Sequence, residues 1–147
     1  MGRLAGSWGL AMVTAKRRIA QGGLKGAIER GRQARRAWIS DRVVLSSAEF
    51  AAARGVASEA LVALQAGDQL FSLTIEGEVW WPAELLKLSA ADASALCSAL
   101  DGADESSKLV FVMRTHGALG GRTVTEAVAN GQLADVLRLA RTWAERH

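Results

Sequence analysis

The feature of this sequence that most constrains its fold is a helix-start signal followed by two helix-stop glycines. Ser46 and Glu49 stand three residues apart, which is the spacing of a capping box, so we expect a helix to begin at Ser47. Gly55 suits the left-handed position that ends such a helix, and Gly67 suits the same position after a second helix. Two short helices around a tight glycine turn are typical of a helix-turn-helix.

Apolar residues support the pairing of these two helices. Leu45 and Phe50 occupy the two positions of a hydrophobic staple at the start of the first helix. The second helix is expected over residues 58–66, where Leu61 and Leu64 are three residues apart and suit packing against Phe50.

A β-hairpin is predicted directly after the two helices. Residues 70–75 alternate in polarity, a Glu-Gly pair at 76–77 supplies the turn, and residues 79–81 return as the second strand. An isolated hairpin is only marginally stable, so we expect it to lie on the preceding helices as a wing. The adjacent Trp80 and Trp81 must face opposite sides of their strand. One is expected in the core, and the other is either covered by neighbouring helices or available to a partner.

The C-terminal third is predicted to be helical. Residues 89–100 carry a cap and an apolar stripe at helical spacing that includes Cys97, which assigns this thiol to the core. Residues 109–113 are ambiguous between a strand and a buried helix, and we favour a helix. A second capping box at residues 123–126 and the apolar stripe of residues 133–144 predict two further helices.

Charge divides the chain into three segments. Residues 1–42 contain ten Lys or Arg and two acidic residues (+8), residues 43–88 contain two and six (−4), and residues 89–147 contain six and seven (−1). The helix and hairpin signals together predict a mainly α-helical protein with a small antiparallel β-hairpin. Its parts are a partly helical basic arm (1–42), a winged helix-turn-helix (43–88) and a C-terminal helical bundle that binds a partner (89–147).

The basic arm suits either a phosphate backbone or an acidic protein surface, or it is simply a solvated segment. The start of the second helix, residues 57–59, reads Ala-Ser-Glu and contains no Arg, Lys, Asn or Gln, the residues that most often donate to bases in the major groove. The arm would therefore supply most of the affinity for duplex DNA. The residues predicted to contact DNA are Lys16, Arg17, Arg18, Arg32, Arg35, Arg36, Ser58 and Gln65.

No pattern in the sequence predicts catalysis, a cofactor or a metal site. The single cysteine excludes an internal disulfide, and with His116 and His147 it makes no ligand set for structural zinc. His116 lies between Thr115 and Gly117, a context more typical of a helix end or loop contact than of a general base. We expect a non-enzymatic protein in a reducing cytoplasm.

The sequence also predicts no membrane contact. No apolar run approaches the roughly 20 residues that span a bilayer. The apolar residues 10–13 precede the basic cluster at 16–18, which is the reverse of a secretory signal. An Arg-rich start is also found in mitochondrial transit peptides, but seven glycines in residues 1–31 disfavour the amphipathic helix of such a peptide.

The sequence Leu-Gly-Gly-Arg-Thr at residues 119–123 is the best candidate for a contact site. It lacks the spacing of nucleotide-binding glycine loops. It does present one arginine on a glycine turn just before a capped helix, which suits an anion or carboxylate. The residues predicted to contact a protein partner are Trp80, Arg114, Gly120, Gly121, Arg122 and Thr123.

Two stretches resemble bacterial antitoxin proteins. The first stretch resembles short antitoxin-like proteins with a helix-turn-helix and wing. The residues that carry this resemblance are Leu45-Ser46-Ser47-Ala48-Glu49-Phe50-Ala51, Gly55-Val56, Gly67, Leu70-Phe71-Ser72-Leu73, Gly77 and Trp81-Pro82-Ala83. The second is similar to the end of the Xre/MbcA/ParS-type toxin-binding domain, on residues 119–123, Asn130-Gly131 and Val136-Leu137. Together they cover roughly residues 45–144.

The resemblance implies a cytoplasmic, self-associating antitoxin or related regulator. Its C-terminal domain would hold a RES-type toxin enzyme, and the protein would repress its own operon. The alternative is a DNA-binding transcriptional regulator that uses the basic arm and the winged helix-turn-helix. A third alternative is a structural or phage-derived accessory protein whose modules only mediate assembly.

Overall fold

The computed structural model describes residues 23–147 of the 147-residue chain. The described residues divide between Trp38 and Ile39 into a first unit that ends at residue 38 and a second unit of residues 39–147. The helical piece expected near residues 10–20, with Lys16, Arg17 and Arg18, lies outside the described residues.

Helix α1 covers residues 23–40 and is exposed along most of its length. Two of its large apolar side chains are exposed: Leu24 is 76% exposed and Ile28 is 53% exposed. A Glu29–Arg32 ion pair of 3.3 Å joins adjacent turns, but both side chains are about half exposed, so its contribution to stability is small. The segment is helical, as the sequence indicated, yet its apolar residues are not buried.

The second unit combines short helices with two small antiparallel sheets. Its elements are β1 (Val44–Ser46), α2 (Ser47–Arg54), α3 (Ser58–Ala66), β2 (Leu73–Ile75), β3 (Glu78–Pro82), a 3₁₀ segment (Ala83–Lys87), α4 (Ala90–Ala99), α5 (Glu105–Met113), β4 (Thr115–His116), a 3₁₀ turn (Gly117–Leu119), β5 (Arg122–Thr123), α6 (Val124–Ala129) and α7 (Leu133–Arg146). The expectation of a mainly helical chain with a small antiparallel sheet is confirmed.

The predicted ends of α2 are confirmed by its hydrogen bonds. The hydroxyl of Ser46 accepts a bond from the backbone N–H of Glu49 at 3.2 Å, so the helix begins at Ser47. Gly55 has φ 78°, and its N–H and that of Val56 satisfy carbonyls in the last turn.

The end of α3 differs from the prediction by one residue. Gly67 has φ −91°, whereas the following Asp68 takes the left-handed conformation with φ 56°. The backbone N–H of Gln69 donates to the carbonyl of Leu64 at 2.8 Å, so the closing turn includes Gly67 and reverses only at Asp68. An Asp tolerates this conformation better than most residues.

The predicted hairpin is present and gains a third strand. Glu76 (φ 52°) and Gly77 (φ 82°) form the two-residue turn between β2 and β3. Strand β1, which the sequence did not predict, pairs antiparallel with β3 and gives the strand order β1-β3-β2. The first strand of the hairpin begins at Leu73.

The two tryptophans of β3 have different environments. Trp81 is 1% exposed, its indole N–H donates to the hydroxyl of Ser47 at 2.9 Å, and its ring stacks on Phe50 with centroids 5.8 Å apart. These contacts attach the sheet to α2. Trp80 pairs with Leu73 of β2, and its side chain lies on the opposite face of the sheet from that of Trp81. Trp80 is half-buried. Its indole nitrogen is buried without a hydrogen-bond partner among the described residues.

The C-terminal helices supply the rest of the core. The hydroxyl of Ser89 caps α4 by accepting from the N–H of Asp92, and α4 packs against α7. Residues 109–113 form the end of helix α5, as favoured from the sequence. Cys97 is 3% exposed in this core, and burial raises the pKa of its thiol to about 12.

Side-chain bonds join the two segments that the charge pattern separated at residue 88. The hydroxyl of Thr125 on α6 donates to the carboxylate of Glu84 in the 3₁₀ segment at 2.9 Å. The carboxylate of Glu105 on α5 accepts from the N–H of Thr74 on β2 at 3.0 Å. Residues 43–88 and 89–147 therefore belong to one compact unit.

Candidate functional site: the glycine-arginine turn

The candidate site is built on the connection between β4 and β5. The two strands pair through Thr115 with Thr123 and through His116 with Arg122. Between them the backbone turns through Gly117–Leu119. Two consecutive glycines then adopt left-handed conformations, with φ 70° at residue 120 and 79° at residue 121. Such a turn favours glycine at both positions, because an L side chain is strained there.

Leu119 fixes this turn to the domain core. Its side chain is fully buried, although the glycines that follow are exposed. The N–H of Gly121 donates to the carbonyl of His116 at 2.9 Å and closes the turn from the other side. The connection is thus a fixed structural element rather than a loose loop.

Arg122 folds back over the turn that precedes it. Its Nη1 lies 3.3 Å from the carbonyl oxygen of Leu119 and 3.4 Å from Oε1 of Gln132. A Cβ placed on Gly120 would lie only 2.8 Å from this Nη1 atom. The absence of a side chain at Gly120 therefore allows the guanidinium to lie where it does, while Arg122 remains exposed.

The residue after Arg122 starts helix α6 with the predicted capping box. The hydroxyl of Thr123 accepts from the N–H of Glu126, and the carboxylate of Glu126 accepts from the N–H of Thr123. These bonds from Thr123, with help from nearby Arg122, hold the pKa of Glu126 below its usual range. The box fixes the backbone direction on the far side of the arginine.

A cluster of aromatic rings packs beside strand β4, at the end of α5. His116 Nε2 lies 2.8 Å from the carbonyl oxygen of Phe111, and the rings of these two residues are 4.7 Å apart. Trp143 of α7 contacts Phe111 at 5.5 Å between centroids, and the guanidinium of Arg114 lies 6.0 Å from the Trp143 ring. His116 is thus engaged with the end of α5, which is the role its sequence context indicated.

A cleft of about 490 Å³ opens beside the start of α6. Within it, the carboxylate of Glu84 accepts from the hydroxyl of Thr125 and from the ammonium of Lys87, both at 2.9 Å. The bond to Glu84 raises the pKa of Lys87. The lining residues are Asp41, Arg42, Val43, Ala83, Glu84, Lys87, Met113, Thr123, Thr125 and Glu126.

The residues predicted to bind a partner fall in two places. Gly120, Gly121, Arg122 and Thr123 form the turn, and Arg114 directly precedes β4 of the same small sheet. Trp80 lies on the other, three-stranded sheet.

The residues predicted to bind DNA are also divided. Arg32, Arg35 and Arg36 are exposed on α1 in the first unit, whereas Ser58 and Gln65 lie on α3 in the second. The side-chain oxygen of Gln65 accepts from the hydroxyl of Ser72 at 2.9 Å. Lys16, Arg17 and Arg18 lie outside the described residues.

Sequence reasoning missed the residues that hold Arg122 and line the cleft. Gln132 is ten residues from Arg122, and no motif signals that separation. The contact between Glu84 and Thr125 spans 41 residues. Glu84 directly follows Pro82-Ala83 in the sequence, but only the fold brings its carboxylate to Thr125 of α6.

Within residues 23–147, no group of three or more His, Cys, Asp or Glu side chains is arranged to hold a metal ion. No helix in this range has the length and apolar character needed to cross a membrane. No protein-family model, curated protein or solved structure matches this chain.

Proposed function

We propose that this chain is a non-enzymatic, antitoxin-like regulatory protein that binds and neutralises a toxin enzyme through the surface around Arg122. The observation that carries the proposal is the geometry of the turn. An exposed guanidinium is held by two acceptors over Gly120, on a backbone fixed by a buried leucine and a capped helix.

This geometry suits recognition of a carboxylate on a partner protein. Arginine offers several N–H donors in a rigid plane, and the bonds from Arg122 to Leu119 and Gln132 both use the same terminal nitrogen, Nη1. A side chain that is already positioned loses little conformational freedom on binding. The resemblance to toxin-binding domains suggests a RES-type enzyme as the partner.

The finer architecture in this proposal is a winged helix-turn-helix followed by a helical partner-binding bundle. The three-residue connection between α2 and α3 and the hairpin that follows them support the first part. The packing of α4 against α7 supports the second part. In such an antitoxin the first part would serve regulation and the second would hold the enzyme.

Co-expression with the product of the neighbouring reading frame tests this function. We expect that product to be an enzyme that is toxic alone, harmless with this chain, and co-purified with it. Arg122→Glu should weaken the complex at least about tenfold, because the introduced carboxylate would repel the partner carboxylate that the guanidinium is proposed to bind. Titration by calorimetry measures that change.

Two alanine variants form a matched pair for the same titration. Gly120→Ala and Gly121→Ala carry similar backbone strain, but only the first puts a Cβ against Arg122. Binding should fall more for Gly120→Ala, and Arg141→Glu on the exposed side of α7 should leave it unchanged. A neighbouring product that is harmless alone, or that fails to co-purify, contradicts the proposal.

A second function, binding of duplex DNA, is favoured by the exposed arginines of α1. Arg32, Arg35 and Arg36 lie within six residues of each other in a segment of strong positive charge. Such binding would be largely independent of sequence and steeply dependent on salt.

Fluorescence anisotropy with a labelled duplex tests this second function. Replacing Arg32, Arg35 and Arg36 with alanine should reduce the slope of log affinity against log salt by about 0.9 for each phosphate that is no longer neutralised. Replacing Arg141 and Arg146 should not change the slope. Absence of binding at low salt rules this function out.

A further inference from the structure

Helix α1 exposes an apolar and basic face. Leu24, Ile28 and Arg35 lie at positions 0, 4 and 11, which fall on one side of an α-helix with 3.6 residues per turn. Leu24 and Ile28 are among the few large apolar residues exposed in the described chain. Residues 23–40 contain five Lys or Arg and one acidic residue.

Helix α3 exposes an apolar face that carries one acidic residue, Glu59. Glu59, Val62, Ala63 and Ala66 share one side of the helix, and Val62 is 69% exposed. The chain has no Lys or Arg from residue 55 to residue 86, whereas Glu59, Asp68, Glu76, Glu78 and Glu84 fall in this range. This face is poorly suited to a phosphate backbone and well suited to a basic surface.

We propose that α1 of one copy of this chain packs on the α3 face of a second copy, and that the two copies exchange this contact reciprocally. Charge complementarity supports the choice of occupant, because Arg35 on the exposed face of α1 would meet Glu59 on the exposed face of α3. Apolar complementarity supports it as well, because Leu24 and Ile28 would cover Val62. The small Ala63 and Ala66 allow close approach of the two helix axes.

A reciprocal exchange doubles the area that a single contact between α1 and α3 would bury. A stable interface buries about 800 Å² on each partner, which is more than one short helix contact provides. In a twofold arrangement each copy gives one α1 and accepts another, so every contact occurs twice. Arg35 and Glu59 are the pair that we place opposite each other.

Sedimentation equilibrium of the full chain measures the dissociation constant. We expect the wild type to dimerise, and Arg35→Glu or Glu59→Arg each to raise the dissociation constant at least about tenfold, because like charges then meet twice. Both side chains are exposed, so circular dichroism and thermal denaturation should remain unchanged. Arg141→Glu on α7 is the matched charge reversal that should have no effect.

A mixture of the two single variants distinguishes this exchange from pairing within one chain. In the mixture, a heterodimer places the glutamate introduced at position 35 of one copy against the arginine introduced at position 59 of the other, and the unchanged Arg35 against the unchanged Glu59, so both of its contacts join opposite charges. Heterodimers should therefore form more tightly than either variant pairs with itself. The double variant Arg35→Glu/Glu59→Arg should restore both contacts and dimerise with nearly wild-type affinity. A monomeric wild type, a dimer that resists both reversals, or recovery in the double variant without recovery in the mixture would each overturn the proposal.

Discussion

Replacing Trp81 with alanine is expected to lower the free energy of unfolding by about 3–5 kcal/mol. The indole is 1% exposed and stacks on Phe50 of α2, so its removal leaves a cavity between the sheet and the helix. It also removes the donor that bonds to the hydroxyl of Ser47. Urea denaturation followed by circular dichroism measures the loss.

Val79 provides the control for this prediction. It lies two residues before Trp81 on β3, so its side chain points to the same face, but it is 44% exposed. Val79→Ala should change the free energy of unfolding by less than about 0.5 kcal/mol. Similar effects for the two variants would mean that the indole does not anchor the sheet.

The starts of helices α2, α4 and α6 and the end of α2 were the easiest features to predict from the sequence. The signals at Ser46, Ser89 and Thr123 are local, because each hydroxyl bonds to a backbone N–H three residues later. The same physics fixes the left-handed turn at Gly55. It allowed an error of one residue at Gly67, since Asp68 also tolerates the left-handed conformation.

Features that depend on distant residues could not be predicted. Strand β1 is only three residues long and exists because Val44 lies beside Pro82, 38 residues away in the chain. A short apolar run carries no information about such a partner. The segment at residues 109–113 was ambiguous for the same reason, and the cap at Asp104 that marks its helix lies outside the apolar run.

The candidate site shows the same division. Its glycines, its arginine and its capping box are adjacent in the chain and were predicted together. The position of Arg122 depends on Gln132 at the start of α7 and on the free space above Gly120. Residue type therefore indicated the candidate site, and tertiary structure supplied the direction in which the guanidinium points.

Leu119→Ala should lower the free energy of unfolding by about 2–5 kcal/mol, although residue 119 adjoins exposed glycines. Its side chain is fully buried, so removing the side chain should also loosen the turn. The backbone carbonyl of residue 119, which accepts the bond from Arg122, would then be less firmly held. Met113→Ala is the control, because that side chain is 38% exposed and should have a much smaller effect. Chemical denaturation measures both variants, and hydrogen exchange at Gly121 reports the closing bond of the turn. If Leu119→Ala lost less than about 1 kcal/mol, the turn would not be anchored in the core, and the fixed position of Arg122 would need another cause.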